Sequence, residues 1–425
     1  MTEQVVLPNG IRVVAERMDG FRSAAVGVWV NAGSIFEPAE ISGVSHVVEH
    51  MLFKGTRKRS AADIAAEMDA IGANLNAFTA KECTCFHATV LEEHLEKAVE
   101  LLADITQNSV LDPEDLAREK RVILEEIAMT EDSAEDLVFE RASEQLFFKT
   151  PLEREILGTA ESVNALSHDD LSAYMQTHYT GENVVIAAAG SVPPDALFKL
   201  AERYFSDVPR GKRQTVPAVK LSRGLRCDSV EKDAEQIHLC LSVPGAALGT
   251  DAFEALAVLS NALGGGMSSR LFQRIREERG LAYAVYSQPI AYRGAGSLCL
   301  YAGCTERQAN EALSCMLEEL DRVRTGGLSA KEFSRAKRQL IGNYLLGMES
   351  PSAHMNALGK SALLLERNYE LKTTLNRMEC VTMEAVNETA ADRFRPKTAS
   401  FCAAGRTKRV GDALQKTVSD WWNAR

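Results

Sequence analysis

The chain lacks any apolar run approaching the ~18 residues that a membrane-spanning helix needs, so no membrane contact is expected. Its first ten residues, Met1-Thr-Glu-Gln-Val-Val-Leu-Pro-Asn-Gly10, hold an acid and no apolar stretch. They predict neither a signal peptide nor an Arg-rich transit peptide, and the expected location is the cytoplasm. Positive charge is also short. Fifty-nine acidic residues against 48 basic ones leave a net charge of −11, which disfavours a nucleic-acid partner, whose affinity comes from Lys and Arg on phosphate. There is no CxxC pair: nine scattered cysteines read as mostly buried free thiols, not a disulfide framework. A GxxxxGK[ST] loop is absent, which removes the usual phosphate cradle. What is present is ordinary for a folded protein, with 45% hydrophobic and 25% charged residues over 425 positions, enough for two to four domains. The acidic balance leaves room for a cationic peptide drawn into an acidic cavity.

Periodicity divides the chain into two runs of similar order. In the first, Val5–Leu7 and Ile11–Ala15 flank an Asn9-Gly10 turn, and Ser23–Asn31 reads as a buried strand. Helical spacing follows from Gly43 to Phe53 and from Ala61 to Ile71. Two alternating strands then cover Ala73–Ala80 and Glu82–Val90, before helices at Glu92–Gln107 and from Pro113 to about Thr130, the latter opened by Asp112-Pro113. A strand at Asn183–Ala189 and a helix at Pro194–Phe205 close the run. The segment Asp207–Pro217, with two prolines, a glycine and three basic residues, is the best linker. Beyond it the order repeats: strand Gln236–Val243, helix Asp251–Leu263, strands near Ala282–Pro289 and Ser297–Ala302, helices Glu306–Arg324 and Ala330–Leu346. This predicts two α/β units, residues 1–212 and 213–425.

The chemistry lies within the first of those helices, at His46-Val-Val-Glu-His50. At about 100° per residue, His46, Glu49 and His50 share one face, while Val44, Val47, Val48, Met51 and Leu52 form the packing face. Two imidazoles one turn apart can reach a single Zn²⁺, and a carboxylate beside them can take a proton from water. Catalytic zinc needs a third protein ligand, and the helix from Pro113 supplies Glu119, Glu125 and Glu126. Glu119 and Glu126 share a face within ~20°. Spacing alone does not choose between Glu125 and Glu126.

His46-Val-Val-Glu-His50, followed 76 positions later by Glu126, resembles the insulinase/pitrilysin family of zinc peptidases. It is most similar to the branch that includes the mitochondrial processing peptidase β subunit and its bacterial relatives. The resemblance implies an α+β fold of two homologous α/β sandwich-like domains, each a mostly antiparallel sheet covered by helices, together half of a clamshell. His46, His50 and Glu126 would hold one Zn²⁺ per chain, Glu49 would be the general base, and Glu119 would support the ligands from behind. Asn74-Leu-Asn-Ala-Phe-Thr79 resembles the edge strand that takes an extended peptide, with Asn76 and Ala77 in contact. Gly264, Gly265 and Gly266 resemble the family's glycine-rich substrate segment. Arg276 and Tyr283 resemble its Arg/Tyr pair, chemically suited to a developing oxyanion. A chain of this length corresponds to half of a four-domain chamber, so a homodimer acting on peptides or presequences is implied.

Alternatives within the same fold are a non-catalytic scaffold subunit and a catalytic subunit that needs a separate partner chain. Cys83, Cys85 and His87 alternate on one strand face; buried thiols fit them better than a second metal site. Trp421-Trp422 are expected to pack a final helix.

Overall fold

The computed structural model describes residues 2–395 and 397–424. It divides into two compact units, each discontinuous in sequence. One comprises residues 1–127, 154–217 and 345–373, and the other 128–153, 218–344 and 374–425. The division at Pro217/Ala218 coincides with the end of the expected linker, but a single boundary at 212/213 does not describe the units. The reason is a helix that each unit takes from the other half of the chain.

The first unit is built on six strands: β1 Thr2–Val6, β2 Arg12–Arg17, β3 Ser23–Val30, β4 Asn74–Thr79, β5 Thr84–Leu91 and β6 Val184–Gly190, in the order β1-β2-β6-β3-β5-β4. Only β2 and β6 run parallel. Ala and Val fill β3 and β6, which are buried along nearly their whole length, as central strands covered on both faces must be. One face carries the helices α1 Val44–Leu52, α2 Ala61–Ala70, α3 Leu95–Asn108 and α4 Pro113–Asp132. On the opposite face Trp29, fully buried, donates its indole N–H towards Met355 Sδ at 3.4 Å. Met355 belongs to the helix Pro351–Leu364, which Ser350 caps by accepting from Ala353 N.

The second unit has five strands: β7 Gly224–Glu231, β8 Ile237–Pro244, β9 Ala282–Ala291, β10 Gly296–Cys304 and β11 Thr398–Gly405, in the order β7-β11-β8-β10-β9. Again one pair, β7 with β11, is parallel and the rest antiparallel. The helix Asp251–Gly264 lies on one face. The other is covered by α5, Ala134–Leu146, whose Ala134, Val138 and Ala142 pack against Cys240, Cys299, Tyr301 and Cys402. Trp421 and Trp422 pack the last helix, Gly411–Asn423, onto this unit's core, as expected. Strands β7 and β11, α5 and the helix Pro351–Leu364 are additions to the expected element order. Cys83 and Cys85 are buried thiols outside any disulfide. Among the described residues no helix is long and apolar enough to cross a membrane.

Candidate metal centre

Helix α1 begins without a capping side chain of its own, because its N-cap is Gly43 in the left-handed region (φ 90°). A Cβ there would meet Leu157 O at 2.6 Å, so glycine is required by both conformation and space. Glu37 supplies the missing acceptor. Its carboxylate, almost fully buried, takes hydrogen bonds from Gly43 N at 2.7 Å and Ser45 N at 2.9 Å, an anion set on the first turn of the helix. Burial pushes its pKa up, against the bonds from Ser45 and Gly43 that favour the charge. Ser45 Oγ in turn lies 2.7 Å from Tyr174 Oη. Sequence reasoning missed Glu37; the signal was a helix start with glycine at the cap and an acid six residues upstream.

The apolar face of α1 behaves as its spacing predicts: Val44, Val47, Val48, Met51 and Leu52 are buried, and the partly open face is His46, Glu49 and His50. The imidazoles of His46 and His50 are 4.6 Å apart between centroids. Helix α4 buries the stripe Leu116, Glu119, Ile123 and Ile127, which turns Glu126 towards α1 and leaves Glu125 exposed. This separates the two acids that periodicity left open. Glu126 Oε2 lies 3.7 Å from His46 Nε2 and 3.6 Å from His50 Nε2.

Those separations test the fit of a metal. Ligand atoms of a tetrahedral site with bonds of ~2.0–2.1 Å stand roughly 3.3–3.4 Å apart. Glu126 Oε2, at 3.6–3.7 Å from the two imidazole nitrogens, therefore matches two edges of such a site with little adjustment, and all three ligand atoms lie within 4.8 Å of one another. Among the described residues, these three form the one group of His, Cys, Asp or Glu side chains close enough to hold an ion. Cys83, Cys85 and His87 form no such group.

The two imidazoles are held differently. His50 Nδ1 meets Glu119 Oε2 at 3.1 Å, and Lys54 Nζ binds the other oxygen of Glu119 at 2.7 Å. An outer acceptor of this kind fixes ring orientation and basicity. Lys54 is a second residue that sequence reasoning missed. Among the described residues His46 Nδ1 is buried with no hydrogen-bond partner. Burial, reinforced by the charge of His50, lowers the pKa of His46 to about 4, so its ring is neutral at neutral pH, the form that binds metal. Burial raises the pKa of Glu49, opposed chiefly by a hydrogen bond from Thr79 Oγ1 to Glu49 Oε2.

Among the described residues strand β4 pairs only with β5, so no other strand lies beside its second edge. Asn76 is exposed on it, and its Oδ1 accepts from Ala77 N at 2.8 Å; Ala77 packs against the core under α1. At the start of the strand opens a cavity of about 520 Å³, lined by Phe53, Ile64, Met68 and Leu75 with Lys54 and Asn74 among the polar residues.

In the second unit, Arg276 and Tyr283 are brought together. Arg276 leaves a π-helical turn, Phe272–Glu277, stacks over the Tyr283 ring at 4.9 Å and donates to Tyr283 O at 2.6 Å; Tyr283 itself is 74% exposed. The glycines have a packing reason of their own. A Cβ on Gly264 would stand 2.2 Å from Ser287 N of β9, and one on Gly265 would stand 1.8 Å from Asn261 Oδ1. Gly266 lies against Gln339.

An HxxEH helix facing a glutamate, set on a two-sheet α/β scaffold, defines the inverted-motif class of metal sites. The chain belongs to the insulinase family, peptidase family M16. The model described as "Insulinase (Peptidase family M16)" matches residues 12–160, and that described as "Peptidase M16 inactive domain" matches residues 165–340. A protein of Bacillus subtilis named an uncharacterized zinc protease is 39% identical over 93% of this chain and 96% of its own length. One of Streptomyces coelicolor, named likewise, is 40% identical over 92% and 86%. Among solved structures, a peptidase M16 inactive domain from Pseudomonas fluorescens superposes with a TM-score of 0.88 at 20% identity, covering 95% of this chain and 98% of that one. A protease from Helicobacter pylori also gives 0.88, at 21% identity, covering 95% and 99%. These two likenesses establish the fold.

Proposed function

We propose that the protein is a zinc-dependent endopeptidase that hydrolyses peptides or presequences held as an extended strand. The observation that carries this reading is the convergence of His46 Nε2 and His50 Nε2 on one oxygen of Glu126, with Glu49 on the same helix face. These three residues would hold Zn²⁺, which would supply Lewis acidity towards a water and a peptide carbonyl. The remaining work falls to the chain itself. Glu49 accepts the water proton and returns it to the leaving amine. Glu119 keeps the His50 ring in orientation. The free edge of β4, at Asn76 and Ala77, pairs with the backbone of the peptide with little regard to its sequence, and the cavity beside Phe53 takes a side chain. Gly264, Gly265 and Gly266 let substrate backbone approach, and the Arg276–Tyr283 pair stabilises the reacting carbonyl. In a homodimer that pair serves the zinc site of the second copy.

One variant tests both levels. Glu49→Gln should keep one zinc per chain by metal analysis and lose ~10²–10⁴-fold in kcat on a mixed peptide library read by mass. Wild-type cleavage by this variant would remove Glu49 as the base. Mixed with a Tyr283→Phe chain, Glu49→Gln should regain activity if the site is shared between copies. No recovery would assign a complete site to each chain.

A further inference from the structure

We infer that Thr79 is a positioning residue for the general base, tying the Glu49 carboxylate to the strand on which the peptide is read. The inference rests on the peptidase reading above and adds a residue to it. Along β4 the side chains alternate. Phe78 turns to the face of Trp29, its ring 5.5 Å from the indole in an edge contact, while Leu75 and Ala77 pack against the core beneath α1. Thr79 therefore belongs to the α1 side, and its hydroxyl donates to Glu49 Oε2. Its own place is fixed from three directions. It sits opposite Thr84 of β5, Thr84 Oγ1 donates to Ala32 O at 3.1 Å, and the next residue, Ala80, donates its N–H to Cys83 O at 2.8 Å to close the turn.

A glutamate on a helix face has three side-chain torsions, the last of them broad, so packing alone leaves its carboxylate plane loosely set. A threonine on a paired strand has a stiff χ1. A charge-assisted bond between them transfers the rigidity of the sheet to the carboxylate. With Oε2 engaged by Thr79, Oε1 is the oxygen left to take a proton. The base is then held in register with the β4 edge itself, so a peptide backbone paired to that edge and the group that activates water for attack on it share one rigid element. Proximity of this kind is sensitive, because a misplacement of about 1 Å costs up to ~10²-fold in rate.

The test compares Thr79→Val, nearly isosteric but without the donor, with Thr79→Ser, which restores it. Thr79→Val should lower kcat by roughly 10- to 100-fold with KM changed less than about 2-fold, and Thr79→Ser should recover kcat to within a few-fold of wild type. Zinc affinity by chelator competition should be the same in all three. Wild-type kcat in Thr79→Val would overturn the inference, as would equal loss in both variants or a change confined to KM. Crystal structures supply a readout that does not depend on cleavage. The Glu49 carboxylate should keep one orientation in wild type and Thr79→Ser and leave it in Thr79→Val. An unchanged carboxylate in Thr79→Val would sink the inference while leaving the peptidase reading standing. Absence of cleavage by zinc-loaded wild type would instead strike the peptidase reading.

Discussion

The two units repeat one strand arrangement and differ in what they place on it. Reading from the parallel pair, β2-β6-β3-β5-β4 in one sheet matches β7-β11-β8-β10-β9 in the other, with the same strand directions; β1 is the first sheet's addition. The helix that follows β3 is α1, and the one that follows β8 is Asp251–Gly264. In α1 the partly open positions are His46, Glu49 and His50. In the second helix they are Phe253, Ala257 and Asn261, and its one buried acid, Glu254, is 3.0 Å from Arg377. The scaffold is therefore indifferent to the chemistry, which resides in a few side chains on one helix face and one partner helix. The family model described as an inactive domain matches residues 165–340, which contain none of those side chains.

The strongest way to break this comparison is to treat the two helices alike. His50→Ala should abolish stoichiometric zinc and bring peptide cleavage below detection, since it removes a ligand and the partner of Glu119 together. Ala257→Ser, at a partly open position of the second helix, should leave both unchanged. Metal analysis and a cleavage assay on the two variants decide it; zinc retained by His50→Ala would contradict the proposed ligand set.

A second prediction concerns the helices that cover the far faces of the sheets. In the first unit the cover sets Met355 over the fully buried Trp29 and, beside it, His354 Nδ1 2.8 Å from Glu16 Oε2. In the second it is a mixed layer in which Tyr301 is 5.2 Å from the Phe139 ring and its Oη is 2.7 Å from His238 Nδ1. Trp29→Ala should cost about 3–5 kcal/mol of apparent stability, because the cavity it leaves cannot close between sheet and helix. Tyr301→Phe loses one partly exposed hydrogen bond and should cost about 0.5–1.5 kcal/mol. Denaturant unfolding measures both; equal losses would show that the two covers are energetically alike.

Much of this was legible in the residues because the signals are local. HVVEH at helical spacing, with valines on the opposite face, fixes the ligand face from one turn of chain. The order strand, helix, hairpin, two helices announces the repeat. The choice of Glu126 over Glu125 needed the buried stripe Leu116, Glu119, Ile123, Ile127, whose phase only the packed α4 reveals. Glu37 reaches α1 only because the loop after β3 folds back, and Lys54 and Thr79 meet Glu119 and Glu49 through the packing of separate elements, which the periodicity of one element does not record. The helix Pro351–Leu364 did carry a local mark, Ser350-Pro351 as cap and first position. Nothing local says that such a helix covers the sheet of the other half, and for that reason a boundary at 212/213 does not describe the units.

The smallest effect separates the two long helices that begin after similar turns. Helix α4 starts at Asp112, whose Oδ1 accepts from Glu114 N at 2.8 Å and Asp115 N at 3.1 Å. The helix Ala330–Gly347 starts instead at a reciprocal pair, in which Ser329 and Glu332 bond each other and Arg270 grips Glu332 at 2.7 and 3.0 Å. Burial raises the pKa of Glu332, but the bonds from Arg270 and Ser329 outweigh it and leave the carboxyl at about 2. Its folded pKa thus lies below the unfolded value of about 4.3, so the unfolded chain binds the proton first as pH falls. The stabilisation is complete at neutral pH and is lost between about pH 4.5 and 2. The group is partly exposed and screened, so about 1 kcal/mol is at stake. Glu332→Gln should flatten the acid limb of the thermal-midpoint profile by that amount and leave zinc binding untouched. A profile identical to wild type would mean that the Arg270 clamp contributes nothing net to the second repeat.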